Sequence, residues 1–198
     1  MIPRRSLPAV ILGLALMLSQ GCDTSGSITI VPELELTSGF EDGLSPWEGR
    51  QVGVSVGSGV ELVTEPVSSG ARAVRVTLDG DQGGAVWMER EVELSPEILY
   101  DVTLIYDVAS WDAQADDAWT VIAGVTAFEP EGGALPAAGN TGKGNLGQPL
   151  WETRTRTVQI RADELGRLWV VLGIRGGGPG VLSYAFDGIE MRFQRAGG

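Results

Sequence analysis

The sequence predicts an all-β domain, a sandwich of two antiparallel sheets. From residue 33 onward, short runs rich in Val, Ile, Thr and aromatic residues alternate apolar and polar positions, which is the period of a half-buried strand. Gly, Pro, Asn and Asp punctuate these runs, and turns favour these residues. No convincing helical period appears in the same region. Many short strands with turn signals between them are typical of a β-sandwich.

Ten strands are predicted within residues 33–198, which at this length we expect to form one domain. The alternation is clearest near the middle of the chain. There Val102 and Leu104 alternate with Asp101 and Thr103, so one strand face should lie in the core and the other in water. The predicted strands are Leu34–Ser38, Gln51–Gly57, Val60–Glu65, Arg72–Leu78, Ala85–Leu94, Leu99–Ala109, Trp119–Phe128, Glu152–Ile160, Arg167–Ile174 and Leu182–Phe193.

Residues 1–21 have the layout of a secretory signal peptide. Two arginines precede an apolar run, Leu7–Leu18, that is too short to span a bilayer comfortably. The sequence Leu-Ser-Gln-Gly-Cys at residues 18–22 resembles the lipobox of bacterial lipoproteins, with Ser19 where an apolar residue is usual. This resemblance implies cleavage before Cys22 and lipidation of its thiol.

The segment 22–32 is small and polar, and we expect it to be a lipidated N terminus and tether. A lipid anchor predicts a place in the bacterial cell envelope, either at the outer membrane and cell surface or on the periplasmic face of the inner membrane. The alternative is a soluble secreted protein with one free thiol, which is a liability in an oxidising compartment.

Composition excludes several classes of function. The formal net charge is −12, and removal of residues 1–21 takes away two arginines and brings it to −14. Such an acidic chain lacks the cationic surface that binds phosphates, so no nucleic-acid partner is expected. The sequence contains no histidine, which excludes Ser-His-Asp and Cys-His catalysis and any histidine-ligated zinc site.

Six short motifs follow one another between residues 34 and 193. In chain order they are Phe40-Glu41-Asp42-Gly43, Trp47, Ser68-Ser69-Gly70 ahead of Ala73-Val74-Arg75-Val76, Ser95-Pro96 with Tyr100, Trp151 before Thr157-Val158, and Phe186-Asp187-Gly188-Ile189. Their order resembles that of carbohydrate-binding modules with the galactose-binding-like jelly-roll fold. The resemblance implies a jelly-roll β-sandwich that binds a glycan without catalysis.

The same resemblance implies a structural calcium ion where the first and last strands meet. Glu41 and Asp187 match the family's ligand positions, and hard carboxylate oxygens suit this ion. The alternative is that Glu41 and Asp187 only accept hydrogen bonds from the backbone at strand ends.

Tryptophans are the candidate sugar contacts, because a sugar ring stacks on an aromatic side chain while polar groups bind its hydroxyls. By alternation Trp87 projects to the outer face of its strand, and Trp111 lies in an acidic turn beside Asp112. Trp87 and Trp111 are the preferred ligand contacts, and Asp112 is included with them among the candidate ligand-binding residues. Trp119 and Trp151 flank loops, where they either complete a cleft or close the ends of the sandwich.

Two other tryptophans are expected to be structural. Trp47 matches a core position of the family, and Trp169 lies in a strand that is apolar on both faces. A long stretch of Gly, Pro, Ala and Asn, residues 129–150, has almost no apolar bulk and is predicted to be disordered.

Catalysis by a pair of carboxylates is the one enzymatic mechanism that the composition leaves open. Glu89 and Glu91 share a strand face, but residues 88–93 lack the Glu-x-Asp-x-x-Glu pattern of jelly-roll glucanases. Ion pairing with Arg75 or Arg90 explains these two glutamates without catalysis. We therefore predict no enzyme.

The sequence thus predicts a membrane-anchored, non-catalytic module that resembles carbohydrate-binding modules, with a glycan or an envelope protein as its partner. The competing interpretation is a structural or protein-interaction sandwich with no sugar ligand. The exposure of the tryptophans distinguishes these two interpretations. A sugar-binding module presents aromatic and polar groups in one groove, whereas an interaction domain presents a flat apolar patch.

Overall fold

The computed structural model describes residues 34–79, 83–110, 119–131, 134–138, 150–177 and 180–197. The predicted signal segment, Cys22, the tether, Trp111 and Asp112 lie outside these ranges. Within these ranges, no helix is long and apolar enough to cross a membrane.

The described residues form ten strands in two antiparallel sheets, which confirms the predicted all-β jelly-roll sandwich. The strands are β1 (Leu34–Ser38), β2 (Glu48–Val52), β3 (Gly59–Val63), β4 (Ala73–Asp79), β5 (Gly84–Glu93), β6 (Leu99–Ser110), β7 (Trp119–Thr126), β8 (Leu150–Arg161), β9 (Arg167–Gly176) and β10 (Val181–Arg195). One sheet has the order β3-β4-β10-β6-β8, with β1 also paired to β10, and the other has the order β2-β5-β9-β7.

Strand β2 differs most from its prediction, Gln51–Gly57. The observed strand begins at Glu48 and ends at Val52, and all of its residues are exposed. An edge strand that buries no side chain has no alternating pattern to reveal it. Gly53, with φ 64°, ends the strand in a left-handed conformation that glycine adopts without strain.

The core between the sheets follows the predicted alternation. Val86, Met88 and Val92 of β5 face inward and are buried, and Trp47 is also buried in this core, as expected. The Trp47 ring lies against Phe40, with 6.4 Å between ring centroids. Trp87, Glu89 and Glu91, which alternate with the inward positions of β5, project to the outer face of the sheet.

A second apolar cluster lies on the outer face of the four-stranded sheet. Its members, all buried, are Ala85, Trp87, Ile122, Leu135 and Val171. Leu135 belongs to a segment, residues 134–138, that we call the strap. Because Leu135 covers the outer face of this sheet, the cluster is closed to solvent.

Backbone and side-chain hydrogen bonds hold the strap in place. The Ala138 N–H donates to the Val121 carbonyl at 2.8 Å, so the strap pairs with the free edge of β7. Arg175 donates to the Leu135 carbonyl at 2.9 Å. The prediction of disorder across 129–150 is therefore wrong for these residues, because a single leucine and a free strand edge suffice to order a segment of otherwise small residues.

Tyr106 in β6 is fully buried, and within the described part of the chain no hydrogen bond of ordinary geometry reaches its hydroxyl. Burial raises the pKa of this phenol above its ordinary value, and the charges of Arg154 and Arg156, together with a marginal side-chain contact from Arg154, offset the effect only partly. The hydroxyl is therefore a neutral group that has lost its contacts with water, and it contributes little to the stability of the folded state.

Substituting Tyr106→Phe is expected to leave the free energy of unfolding unchanged or to raise it by about 1 kcal/mol, since only a marginal contact with Arg154 is lost. Urea denaturation measures this. Tyr100→Phe is the matched control, because the buried Tyr100 hydroxyl accepts a hydrogen bond from Ser95 N at 3.0 Å. That variant should lose about 1 kcal/mol. Equal losses in both variants would contradict the assignment.

Candidate functional site: a cleft on the outer face of the four-stranded sheet

The sandwich separates the tryptophans that the sequence singled out. Trp87 of β5 projects to the outer face of the four-stranded sheet, as predicted. Trp151 of β8 pairs with Ala109 and lies, half-buried, on the outer face of the other sheet. These two residues therefore cannot line one groove. Trp119 begins β7, and only its backbone is described.

The prediction that Trp87 is an exposed stacking surface is wrong. Its side chain is 4% exposed because Leu135 of the strap packs over it. Its indole Nε1–H donates to the Glu89 carboxylate at 2.7 Å. Alternation identifies the sheet face of a residue correctly, but it carries no information about a distant segment that covers that face.

Next to Trp87 the same sheet face carries a cleft of about 280 Å³, which we call the outer-face cleft. It combines one aromatic ring with a set of charged side chains. The residues that line it are Pro46, Glu48, Arg50, Glu89, Glu91, Glu129, Arg167 and Trp169. Several polar groups that converge in one cleft are typical of sites for hydroxyl-rich ligands.

Glu89 links the buried cluster to the outer-face cleft. Its side chain is nearly inaccessible, and both of its oxygens accept hydrogen bonds, Oε2 from Trp87 and Oε1 from Arg50 Nε at 2.9 Å. This bond and the charge of Glu89 raise the pKa of Arg50 above its ordinary value. A buried carboxylate that is paired in this way fixes the position of its partner.

Arg50 also contacts two exposed carboxylates in the outer-face cleft. Its Nη2 lies 2.8 Å from Glu48 and 3.7 Å from Glu129. The Arg50 guanidinium is therefore held by three glutamates, one buried and two exposed. The sequence interpretation paired Glu89 with Arg75 or Arg90. That pairing is wrong, because Glu89 pairs with Arg50, Arg75 lies in the other sheet and pairs with Glu61 at 2.8 Å, and Arg90 lies on the opposite face of β5 from Glu89.

Trp169 forms the aromatic part of the outer-face cleft. It is 5% exposed, which agrees with the prediction that it is buried, but it projects outward rather than into the main core. The Arg167 guanidinium lies 5.0 Å from its ring centroid, within the range of a cation–π contact. Arg167 in turn pairs with Asp163 at 2.9 Å. The Trp169 ring, the Arg167 guanidinium and the Asp163 carboxylate are thus fixed together at one end of the cleft.

Asp187, one of the two predicted calcium ligands, is fully buried in β10. Its Oδ2 accepts hydrogen bonds from the backbone N–H groups of Ser68 and Ser69, each at 3.0 Å. Its Oδ1 accepts from Gly188 N at 2.7 Å. The φ of 55° at Gly188 lies in the left-handed region that glycine favours, and β10 shifts its register at this point.

Glu41, the other predicted ligand, binds the same turn. Its Oε1 accepts from Ala71 N at 2.9 Å and from Arg72 N at 3.3 Å. Both carboxylates therefore bind backbone amides of residues 68–72, the alternative that the sequence left open. In the ranges that the structure describes, no group of three or more acidic, His or Cys side chains could hold a metal ion. Calcium binding remains a prediction.

Sequence reasoning missed Arg50 and assigned Trp169 only a structural role. Arg50 lies in the exposed edge strand whose start was misplaced, so its position beside Glu89 could not be read from a pattern. A signal for Trp169 did exist, because β9 alternates Leu168 and Val170 inward and therefore directs Trp169 outward.

No family model matches the sequence, and no curated protein matches it. Solved structures with a similar fold include the K2 cleaved adhesin domain of Lys-gingipain, with 15% identity and a TM-score of 0.53, covering 79% of this chain and 97% of that one. The K1 cleaved adhesin domain of Lys-gingipain from Porphyromonas gingivalis W83 has 15% identity and a TM-score of 0.50, covering 80% and 97%.

The carbohydrate-binding module TmCBM61, solved in complex with beta-1,4-galactotriose, has 18% identity and a TM-score of 0.46, covering 79% of this chain and 94% of that one. At these identities the likeness to the adhesin domains is one of fold alone, and the all-β sandwich that the sequence predicted is confirmed.

Proposed function

We propose that this chain is a non-catalytic glycan-binding module, held at the bacterial cell envelope by a lipid on Cys22. The observation that carries glycan binding is the outer-face cleft, where Trp169 lies among fixed guanidinium and carboxylate groups. Sugar hydroxyls both donate and accept hydrogen bonds, so they can pair with carboxylates and guanidinium groups in the same site. Anchoring rests on the resemblance of residues 18–22 to a lipobox.

The cleft is suited to binding because its polar groups are ordered before a ligand arrives. Glu89 holds Arg50 from the buried side, and Glu48 holds it from the exposed side. Groups that are already fixed lose little conformational entropy when a ligand binds, which increases affinity. Glu91 is exposed in the same cleft and offers an acceptor at its rim.

The same geometry supports a binding role rather than hydrolysis. Paired-carboxylate hydrolysis needs one carboxyl group that donates a proton and a second that attacks or activates water. Glu89 has both oxygens engaged, with Trp87 and Arg50. Glu48 and Glu129 are also directed to Arg50, at 2.8 and 3.7 Å, so among the described residues Glu91 is the one lining carboxylate that no arginine engages, and one carboxylate does not make the pair.

Binding is tested with purified protein against soluble oligosaccharides and insoluble polysaccharides, using pull-down and isothermal titration. The double variant Glu48→Ala/Glu91→Ala removes two acceptors from the rim of the cleft. We expect it to weaken glycan binding at least about 10-fold, since hydrogen bonds to charged groups contribute about 1.5–3 kcal/mol each.

The matched control is Glu61→Ala/Glu65→Ala, which removes two exposed glutamates near the other sheet. It should bind like the unsubstituted protein, because it changes net charge equally. Equal weakening in both double variants would exclude the outer-face cleft as the site. If the unsubstituted protein binds no glycan, the protein-interaction interpretation takes the place of this proposal.

A further inference from the structure

The cationic groups of the outer-face cleft are already neutralised by carboxylates of the protein. Arg50 directs Nε to Glu89 at 2.9 Å and Nη2 to Glu48 at 2.8 Å, with Glu129 at 3.7 Å. A ligand carboxylate that approached Arg50 would have to displace one of these glutamates or share the guanidinium with all three.

Arg167 is occupied in a similar way. Its Nε and Nη2 each lie 2.9 Å from Asp163 Oδ2, and its guanidinium rests against the Trp169 ring. Asp163 is itself fixed, because its Oδ1 accepts hydrogen bonds from the backbone N–H groups of Leu165 and Arg167. These bonds lower the pKa of Asp163 below its ordinary value, so it stays ionised at neutral pH. The pair therefore offers no free positive charge.

Carboxylates are in excess within the outer-face cleft. Among the described residues that line it, four glutamates stand against two arginines, a formal net charge of −2. The whole chain is also acidic, with a net charge of −12. A cleft focuses the field of its lining charges, so an anionic ligand is repelled both on approach and in the site.

We infer that the outer-face cleft selects glycans that carry no carboxylate or sulfate group and rejects uronic-acid and sulfated glycans. This inference rests on the proposed glycan binding and names the ligand class of that site. Uncharged hydroxyls donate to the exposed carboxylates of Glu48, Glu91 and Glu129 without displacing any ion pair. Arg50 and Arg167 serve to position these groups and the Trp169 ring, and they do not serve as anion receptors.

The test compares neutral oligosaccharides with their C6-oxidised uronate forms, each titrated into purified protein at 20 mM and at 500 mM NaCl. Between these two salt concentrations the Debye length falls from roughly 20 Å to about 4 Å, so electrostatic repulsion is screened at the higher one. We expect each neutral form to bind at least about 10-fold tighter than its uronate at low salt, with a smaller ratio at high salt.

A charge-neutralised variant separates repulsion from loss of the C6 hydroxyl. Glu48 and Glu129 are each 68% exposed, so Glu48→Gln/Glu129→Gln should fold normally. In this variant the ratio of neutral to uronate affinity should fall several-fold. In the control Glu61→Gln/Glu65→Gln, which has the same net charge, the ratio should change less.

Uronate binding equal to or tighter than neutral binding would overturn the inferred ligand class and leave glycan binding itself intact. A ratio that responds neither to salt nor to the cleft variant would do the same, because it would show that charge does not set the preference. Failure of both forms to bind would overturn the proposed function and this inference with it.

Discussion

Replacing Glu89 with alanine is expected to lower the free energy of unfolding by about 2–4 kcal/mol and to weaken glycan binding. The loss of stability has a local cause. Trp87 is 4% exposed and donates its indole N–H to Glu89 alone among the described residues. Without Glu89 this buried donor has no acceptor, and an unsatisfied buried polar group costs about 1–3 kcal/mol. The loss of the bond to Arg50 adds to this.

The weaker binding has a different cause. Arg50 is 43% exposed, and Glu89 is the buried partner that sets the direction of its guanidinium. In Glu89→Ala, Arg50 retains only exposed carboxylates, which hold a side chain weakly. The side chains at the rim of the cleft are then no longer fixed before binding. Ordering them on binding costs conformational entropy, which makes the binding free energy less favourable.

Urea denaturation and glycan titration of four variants, Glu89→Ala, Glu91→Ala, Trp87→Phe and Trp87→Phe/Glu89→Ala, separate these effects. Glu91→Ala lies one outward position further along β5, is exposed, and should change stability by less than about 0.5 kcal/mol. In a Trp87→Phe background, Glu89→Ala should cost less than in the unsubstituted protein, because no indole N–H is left unpaired. If Glu89→Ala unfolds at the same urea concentration as Glu91→Ala, the buried linkage between Trp87 and Arg50 contributes nothing to stability.

The fold could be predicted because the alternation of apolar and polar residues along each core strand indicates which of its faces is buried. Val102 and Leu104 alternate with polar residues, and the structure buries both in the expected strand. The same logic failed at β2, whose residues Glu48–Val52 are all exposed. An edge strand is ordered by the neighbour it pairs with, here β5, and pairing of residues some forty positions apart leaves no local pattern.

The site was less predictable because each of its features depends on a distant segment. Trp87 was placed on the correct face, but the strap, some fifty residues later, buries it. Glu89 was recognised as an outward glutamate, while its partner Arg50 comes from the strand whose bounds were wrong. Local patterns thus identify which face a residue occupies, and contacts between distant segments decide whether that residue is free to bind.

Asp187→Ala is expected to be the most destabilising of these substitutions, lowering the free energy of unfolding by about 3–5 kcal/mol. Asp187 is fully buried and accepts hydrogen bonds from three backbone N–H groups. Removing it leaves these donors without an acceptor and releases the turn at Ser68 and Ser69, and breaking a buried charged network costs several kcal/mol. Asp187→Asn should lose less, because one carbonyl oxygen remains.

Measuring the same variants in calcium and in chelator decides between the two roles of this carboxylate. If Asp187 binds calcium, the ion should raise the Tm of the unsubstituted protein, since a ligand that binds only the folded state stabilises it, and it should have no effect on Asp187→Ala. If Asp187 only holds the backbone, calcium should leave both Tm values unchanged while the stability difference between the proteins persists. Glu35→Ala, an exposed substitution on neighbouring β1, controls for general effects of the ion on an acidic surface. The backbone role predicts a constant gap between the two melting curves at every calcium concentration, whereas the metal role predicts a gap that widens with calcium.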